Sequence, residues 1–218
     1  MRRWYSEGNL PGEYVAADYL FTPAAGVDAG SCMPTITSVL IAPPDPPLQD
    51  EVVTLRPWTM DDAPAVAAAC QDPEIPRWTT VPIPYSDEDA RQFVAAVTLP
   101  GVEDQLALAT TRTEDGLVVG SMTFWIIRPG VGEFGYWAAA EARGRGYTPR
   151  ALRLLARWVL DELRLPRLQL GTFPGNKASE RVAEKVGFAP EGVLRSWMDQ
   201  RGERRDVRMW SLLPGELV

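Results

Sequence analysis

Two hydrophobic periods alternate along the chain, and the changes between them mark its elements. From Val52 the pattern is regular: Val52 to Arg56 reads as a strand, and Thr59 with Asp62 three residues on is a capping-box start for a helix through about Cys70. Ser86 with Asp89 repeats that signal and opens a helix through about Val97, leaving a proline-studded loop from Asp72 to Tyr85. Gln105 to Thr113 and Leu117 to Ile127 are β-branched and aromatic runs around a Glu114-Asp115-Gly116 turn, and Val131 to Ala138 follows Pro129-Gly130 as a third strand. The period then lengthens. Leu152, Leu155, Ala156, Val159 and Leu163 form one stripe of a helix from about Tyr147 to Leu163. Arg167 to Phe173 reads as a strand, Lys177 to Val186 as a helix closed by Gly187, and Val193 to Asp199 with Val207 to Leu213 as a final strand pair around Arg201-Gly202. Antiparallel strands followed by a strand, helix, strand crossover predict an α/β (α+β) fold: a mixed, twisted, mostly antiparallel sheet with helices on its faces.

Residues 1–50 break this regularity. They carry scattered aromatics (Trp4, Tyr5, Tyr14, Tyr19, Phe21) and a Pro43-Pro44-Asp45-Pro46-Pro47 block that is extended or turning. The expected organisation is an N-terminal extension with a proline-rich linker over 1–50 and one domain over 51–218. The alternatives for the extension are docking of its apolar residues on the main domain, docking on a second subunit of a homodimer, and partial disorder. At 218 residues, two domains of ordinary size would be crowded.

Charge and composition narrow the chemistry. The formal net charge of -7 argues against a nucleic-acid partner and suits a cationic substrate. No run has the apolar length to span a bilayer, and Met1 to Val15 lacks the apolar core of a signal peptide, so a cytoplasmic protein without a membrane partner is expected. Cys32 and Cys70 fit reduced thiols better than a disulfide framework. The chain has no histidine, which excludes histidine-dependent triads and most zinc sites. A general base must then be a carboxylate, a tyrosine, a thiolate or water.

Between the Val131 to Ala138 strand and the long helix lies Glu141-Ala142-Arg143-Gly144-Arg145-Gly146-Tyr147-Thr148. Unpaired amides at a helix start and glycines that admit close approach make an anion cradle, with Arg143 and Arg145 as candidate phosphate clamps. The string has neither the Gly-Lys-Ser/Thr ending of a Walker loop nor the acidic residue of a dinucleotide fold. It resembles the Arg/Gln-x-x-Gly-x-Gly/Ala signature of the GNAT acetyltransferase superfamily. Arg143 and Gly146 match, and Thr148 stands where Gly or Ala is usual. Further matches resemble the ribosomal-protein (RimJ/RimL-like) N-acetyltransferase branch over almost all of residues 52–213. These are Glu133-Phe134-Gly135-Tyr136-Trp137, Asn176-Lys177-Ala178-Ser179, Lys185-Val186-Gly187-Phe188, Asp72-Pro73-Glu74 with Arg77-Trp78, and Glu191-Gly192-Val193-Leu194-Arg195 with Arg205-Asp206.

The resemblance implies a GNAT fold whose splayed strand pair holds acetyl coenzyme A. Pantetheine would lie along Tyr136, Trp137 and Ala138, the pyrophosphate on Arg143 to Thr148, and Asn176 would hold the pantetheine arm, besides suiting a helix N-cap. Glu133 falls where many members carry a general base, and should share a sheet face with Gly135 and Trp137. Ser179 matches a serine proposed to assist the leaving thiolate; the tyrosine many relatives carry on that helix is absent. Direct transfer in a ternary complex is implied, because positioning alone can supply roughly 7–11 kcal/mol. Trp78, Tyr85 and Trp197 are candidate acceptor residues, and Trp125 fits core packing. The acceptor is expected to be an amine-bearing small molecule or peptide. A catalytically silent acyl-CoA sensor, or an enzyme using another acyl group, stays open.

Overall fold

The computed structural model describes residues 40–99 and 103–218. Leu48–Gln49 (β1) and Val53–Pro57 (β2) precede a short 3-10 turn, Met60–Asp62, and the first helix, Ala63–Ala69 (α1). The Asp62 carboxylate accepts from the Thr59 amide at 2.9 Å and from the Arg56 guanidinium at 2.7 Å, so the capping residue also anchors β2 to the helix start. A short helix, Glu74–Trp78 (α2), occupies the stretch expected to be loop. Pro73 and Pro76 suggested loop, but proline is tolerated in a first turn, where its missing N–H would have no intrahelical partner. Asp87–Thr98 (α3) opens with the expected capping box, the Asp89 amide donating to Ser86 Oγ at 3.1 Å and the Ser86 amide to the Asp89 carboxylate at 2.8 Å.

The long strands follow: Gln105–Arg112 (β3), Val118–Arg128 (β4) and Val131–Ala138 (β5). Tyr147–Trp158 (α4) continues through Leu163 as a wider π-helical turn, a change of winding that the hydrophobic stripe does not encode. Arg167–Thr172 (β6), Lys177–Val186 (α5), Ala189–Gln200 (β7) and Glu203–Leu212 (β8) complete the described fold. The last two strands are longer than expected because pairing with β8 carries β7 back through Pro190 and Gly192, where composition reads as turn. At the end of α5, Gly187 has φ 102°, and a Cβ there would lie 2.3 Å from the Glu216 carbonyl oxygen. Left-handed backbone and close approach both require glycine.

One sheet joins all eight strands in the order β1-β2-β3-β4-β5-β6-β8-β7, antiparallel throughout except for β5 and β6. Strand alternation divides its faces. Leu106 and Leu108 of β3 join the core under α4 and α5, whereas Ala107 and Ala109 join the core under α1 and α3. Of the stripe, Leu163 packs partly buried against the first core, and Leu152, Leu155, Ala156 and Val159 are wholly buried in it, Ala151 with them. Each such leucine stabilises the fold by about 1.5–3 kcal/mol.

The stretch read as the end of a linker is packed: Ile41 sits in the first core, Pro44 is buried, and β1 extends the sheet through Leu48↔Leu55 and Gln49↔Thr54. Arg150 of α4 adds bonds to Asp50 at 2.9 Å and Glu51 at 2.7 Å. The aromatics of the expected extension fall in residues 1–39, outside the described residues.

Candidate functional site

β5 is the strand around which the candidate site is built. Along one edge it pairs with β4 from Arg128↔Val131 to Gly120↔Ala138. Along the other it runs parallel to β6 only from Val131↔Arg167 to Phe134↔Leu170. Beyond Phe134 the two strands part, and Gly135 to Ala138 present an edge that β6 does not fill. An unpaired edge invites an amide-bearing chain to add as a strand.

At the open end, a 3-10 turn over Ala140–Ala142 leads to Gly144 at φ 77° and Gly146 at φ 83°, and α4 begins at Tyr147. A Cβ on either glycine would meet no atom within 4 Å, so the requirement is conformational and the space above the turn is open. No side chain caps the helix, Pro149 has no N–H, and the bond from the Arg150 amide to the Gly146 carbonyl is long, at 3.4 Å. Main-chain donors and the positive helix end thus face outward without competition from a capping side chain. Arg145 is exposed beside them, and Thr148 lies half-buried in the first turn. Tyr147 packs its ring with Val119, Ala139 and Ala142. Arg143, a candidate clamp, bonds to the Asp72 carboxylate at 2.5 Å and the Ala138 carbonyl at 3.1 Å. It braces the turn against the segment before α2.

The two faces of β5 carry different chemistry. Glu133, Gly135 and Trp137 share one face. Glu133 is half-buried, with Trp125 as its cross-strand neighbour on β4 and Gln169 on β6. Gln169 Nε2 donates to Glu133 Oε2 at 2.7 Å. Burial pushes the Glu133 carboxyl above the usual range, and the Gln169 bond and the Arg128 charge pull part of the way back. The Trp125 ring lies where a Gly135 Cβ would be, 2.8 Å from Cζ3, so glycine there gives the indole its seat. Sequence reasoning favoured core packing for Trp125, but it is half-buried and belongs to none of the three apolar cores. Trp137 is tilted against Trp58 at 6.4 Å and packs on the second core.

Phe134 and Tyr136 point to the other face, toward α4 and α5. Tyr136 Oη lies 2.7 Å from Ser179 Oγ, and burial raises the phenol's pKa. Asn176 caps α5, its Oδ1 accepting from the Ser179 amide at 3.1 Å. Asn176, Ser179 and Tyr136 therefore meet beside the divergence of β5 and β6. Glu133 stands on the opposite face, at the base of the same divergence.

Of the expected acceptor residues, the structure gathers only some. Trp78 ends α2, its Nε1 donating to Glu74 at 2.9 Å and its ring under Arg77 at 4.8 Å. Gln200 Nε2, at the tip of the β7–β8 hairpin, donates to the carbonyls of Pro76 at 3.3 Å, Arg77 at 3.1 Å and Thr79 at 2.8 Å, tying the hairpin to the end of α2. Trp197, 45% exposed, lies in the stretch of β7 between Leu194 and Met198 where the register with β8 slips. Tyr85 departs from expectation. It packs on the second core against Cys70, where burial raises its pKa, and burial likewise pushes the Cys70 thiol up to about 12. The Cys70 thiol is therefore unreactive. The Gln169 side chain and the Tyr136 phenol were missed; a lone glutamine in strand β6 and the two-residue period from Phe134, which sets Tyr136 on the face toward α5, were their only signals.

Among the described residues no group of three or more His, Cys, Asp or Glu is placed to hold a metal, and no helix is long and apolar enough to cross a membrane. Residues 53–189 match the model of the acetyltransferase (GNAT) domain. The chain is similar to an uncharacterised N-acetyltransferase, p20, of Bacillus licheniformis, 27% identical over 175 residues that cover 78% of this chain and 97% of the relative. Its fold is similar to that of Mycobacterium smegmatis RimJ in complex with a CoA disulfide, with a TM-score of 0.68 and 22% identity over 75% of this chain and 83% of that one. It is likewise similar to that of RimL, a ribosomal L7/L12 alpha-N-protein acetyltransferase in complex with coenzyme A, with a TM-score of 0.67 and 20% identity over 77% and 96%.

Proposed function

Because the chain belongs to the GNAT acetyltransferase family and transfers an acetyl group from acetyl coenzyme A to a primary amine, we propose that the divergence of β5 from β6 is where the two substrates meet, with an α-amino group as the preferred acceptor. One observation carries this reading: Glu133 and the Tyr136–Ser179 pair occupy opposite faces of one strand at the point where its neighbour leaves it.

Each residue then has a task set by its place. The open edge of Tyr136, Trp137 and Ala138 offers main-chain partners to the pantetheine amides. Gly144 to Thr148 receive the pyrophosphate on backbone donors, with Arg145 beside them. Asn176 uses Oδ1 for its cap, which leaves the NH2 end for the pantetheine arm. The amine approaches on the Glu133 face, where Gln169 occupies one carboxylate oxygen and the other is left for the amine or a water. As the nitrogen bonds to the acyl carbon, the carbon–sulfur bond breaks and Glu133 takes the amine proton. Trp125 and Trp137 flank that approach, and Trp78 and Trp197 belong to the segments tied by Gln200. The negative carboxylate and indole faces suit a positively charged or apolar group next to the amine.

A base of this kind fits an α-amine better than a lysine. An α-amine with pKa near 7.8 is neutral about one time in seven at pH 7, and a lysine amine near 10.4 less than about one time in a thousand. The structurally similar RimL is a ribosomal L7/L12 alpha-N-protein acetyltransferase, which supports the same choice. The test is thiol release from acetyl coenzyme A with peptides bearing only a free N-terminus, peptides bearing only a free lysine, and small amines, using wild type and Glu133→Gln. Release with the first class, lowered about 10²–10⁴-fold in the variant at unchanged coenzyme A affinity, is the expected outcome. No release above background with any acceptor would favour a binding sensor.

A further inference from the structure

The phenol of Tyr136 has a contact that a role through its main chain alone does not explain. Its Oη lies 2.7 Å from Ser179 Oγ and 3.3 Å from the Ser179 carbonyl, joining the diverging strand β5 to the first turn of α5. The Ser179 amide is bound by Asn176 Oδ1, so the serine is held from both sides. α5 itself contains no tyrosine. We propose that Tyr136 is a positioning residue that fixes the Ser179 hydroxyl, so that the two together present one O–H to the thiolate leaving on this face of β5.

This rests on the proposed function only in taking the thioester sulfur to lie on the Tyr136 side. Two hydroxyls bonded to each other use one proton between them and keep one to donate outward. A serine alone in a helix can turn its hydroxyl back onto the carbonyl of the preceding turn, and the phenol competes with that alternative. Burial favours the protonated phenol, so it remains a donor throughout the working pH range. Neither hydroxyl has to lose its proton for the reaction to balance. The electron pair of the breaking carbon–sulfur bond goes to sulfur, Glu133 carries the amine proton to water, and the thiolate, steadied by the O–H, takes a proton from solvent.

The experiment is an ultraviolet titration of the thiol of coenzyme A bound to the wild-type protein, Tyr136→Phe and Ser179→Ala. At a given pH below the thiol's ordinary pKa, the bound thiolate fraction should be roughly tenfold higher in wild type than in either variant, as expected of one hydrogen bond to a charged sulfur. Affinity measured at low pH, where the thiol is neutral, should be the same in all three. In turnover, kcat should fall roughly tenfold in each single variant and no further in the double variant, with KM for acetyl coenzyme A unchanged, because the two hydroxyls act as one unit. An identical titration in wild type and Tyr136→Phe overturns the proposal. Glu133→Gln should leave the titration unmoved, so failure of the base assignment and failure of this inference are read separately, and the titration decides even without an acceptor.

Discussion

The two edges of β5 obey the same hydrogen-bonding rules and end differently. Against β4 the strand is paired from Val131 to Ala138, and the side chains along that edge lock together: Phe124 and Phe134 meet at 5.3 Å, and Trp125 seats on Gly135. Against β6 the pairing ends at Phe134. The closed edge supplies rigidity, and the open edge supplies main-chain groups that β6 leaves unpaired, of which the Ala138 carbonyl accepts from Arg143. A backbone donor left without a partner away from water costs about 1–3 kcal/mol, so an open edge persists where solvent or a ligand can reach it. On the proposed reading, function is concentrated where regular structure stops, and the paired edge holds that stopping point still.

That contrast is broken most severely at its open end. Gly146→Asp forces a side chain onto a φ of 83° and puts a carboxylate where the diphosphate would lie. The strain costs on the order of 1–3 kcal/mol before the repulsion is counted. Calorimetric affinity for coenzyme A should fall at least ~100-fold, and unchanged binding would refute the cradle. Gly135→Ala tests the closed edge. Its Cβ would sit 2.8 Å from the Trp125 ring, and overpacking of this kind typically costs about 1–3 kcal/mol. Acceptor KM should rise roughly tenfold while coenzyme A affinity stays near wild type, which would separate the two edges kinetically.

The smallest expected effect is on the pH response. Burial raises the Glu133 pKa above its unfolded value, so its neutral form is the one folding favours. Its contribution to stability is fully present below the unfolded pKa and is lost as pH rises through the folded pKa. Glu133→Gln should therefore raise Tm slightly at neutral pH and leave it nearly unchanged in acid. The acid limb of kcat/KM in wild type should sit above the ordinary carboxylate range and vanish in the variant.

Much of the fold is legible in local signals. Ser86 with Asp89, the Glu114-Asp115-Gly116 turn and Gly187 are cases in which a residue's own stereochemistry selects the backbone, and each element appears where its signal lies. The short helix at Glu74–Trp78 was hidden because proline carries opposite meanings inside a helix and at its start. β1 was hidden because a two-residue strand has no period to read. At the candidate site, sequence indicates which residue types lie near the turn, but not their partners. Arg143 pairs with Asp72, distant in sequence, and Tyr85 turns into the second core toward Cys70, because α1 and α3 close over it. Tyr136 and Ser179 are far apart in the chain, and only the crossover that sets α5 beside β5 brings their hydroxyls together.

The Gln200 amide gives this architecture one more property. Its NH2 group serves three carbonyls at the end of α2, while its oxygen accepts from Arg205 at 3.0 Å. Two segments distant in sequence are thereby yoked, and α2 is in turn close to the Gly144–Gly146 turn through Asp72 and Arg143. On the proposed placement of the acceptor, selectivity would belong to the yoked pair, and grafting either segment alone from a relative would import its side chains without the frame that aims them.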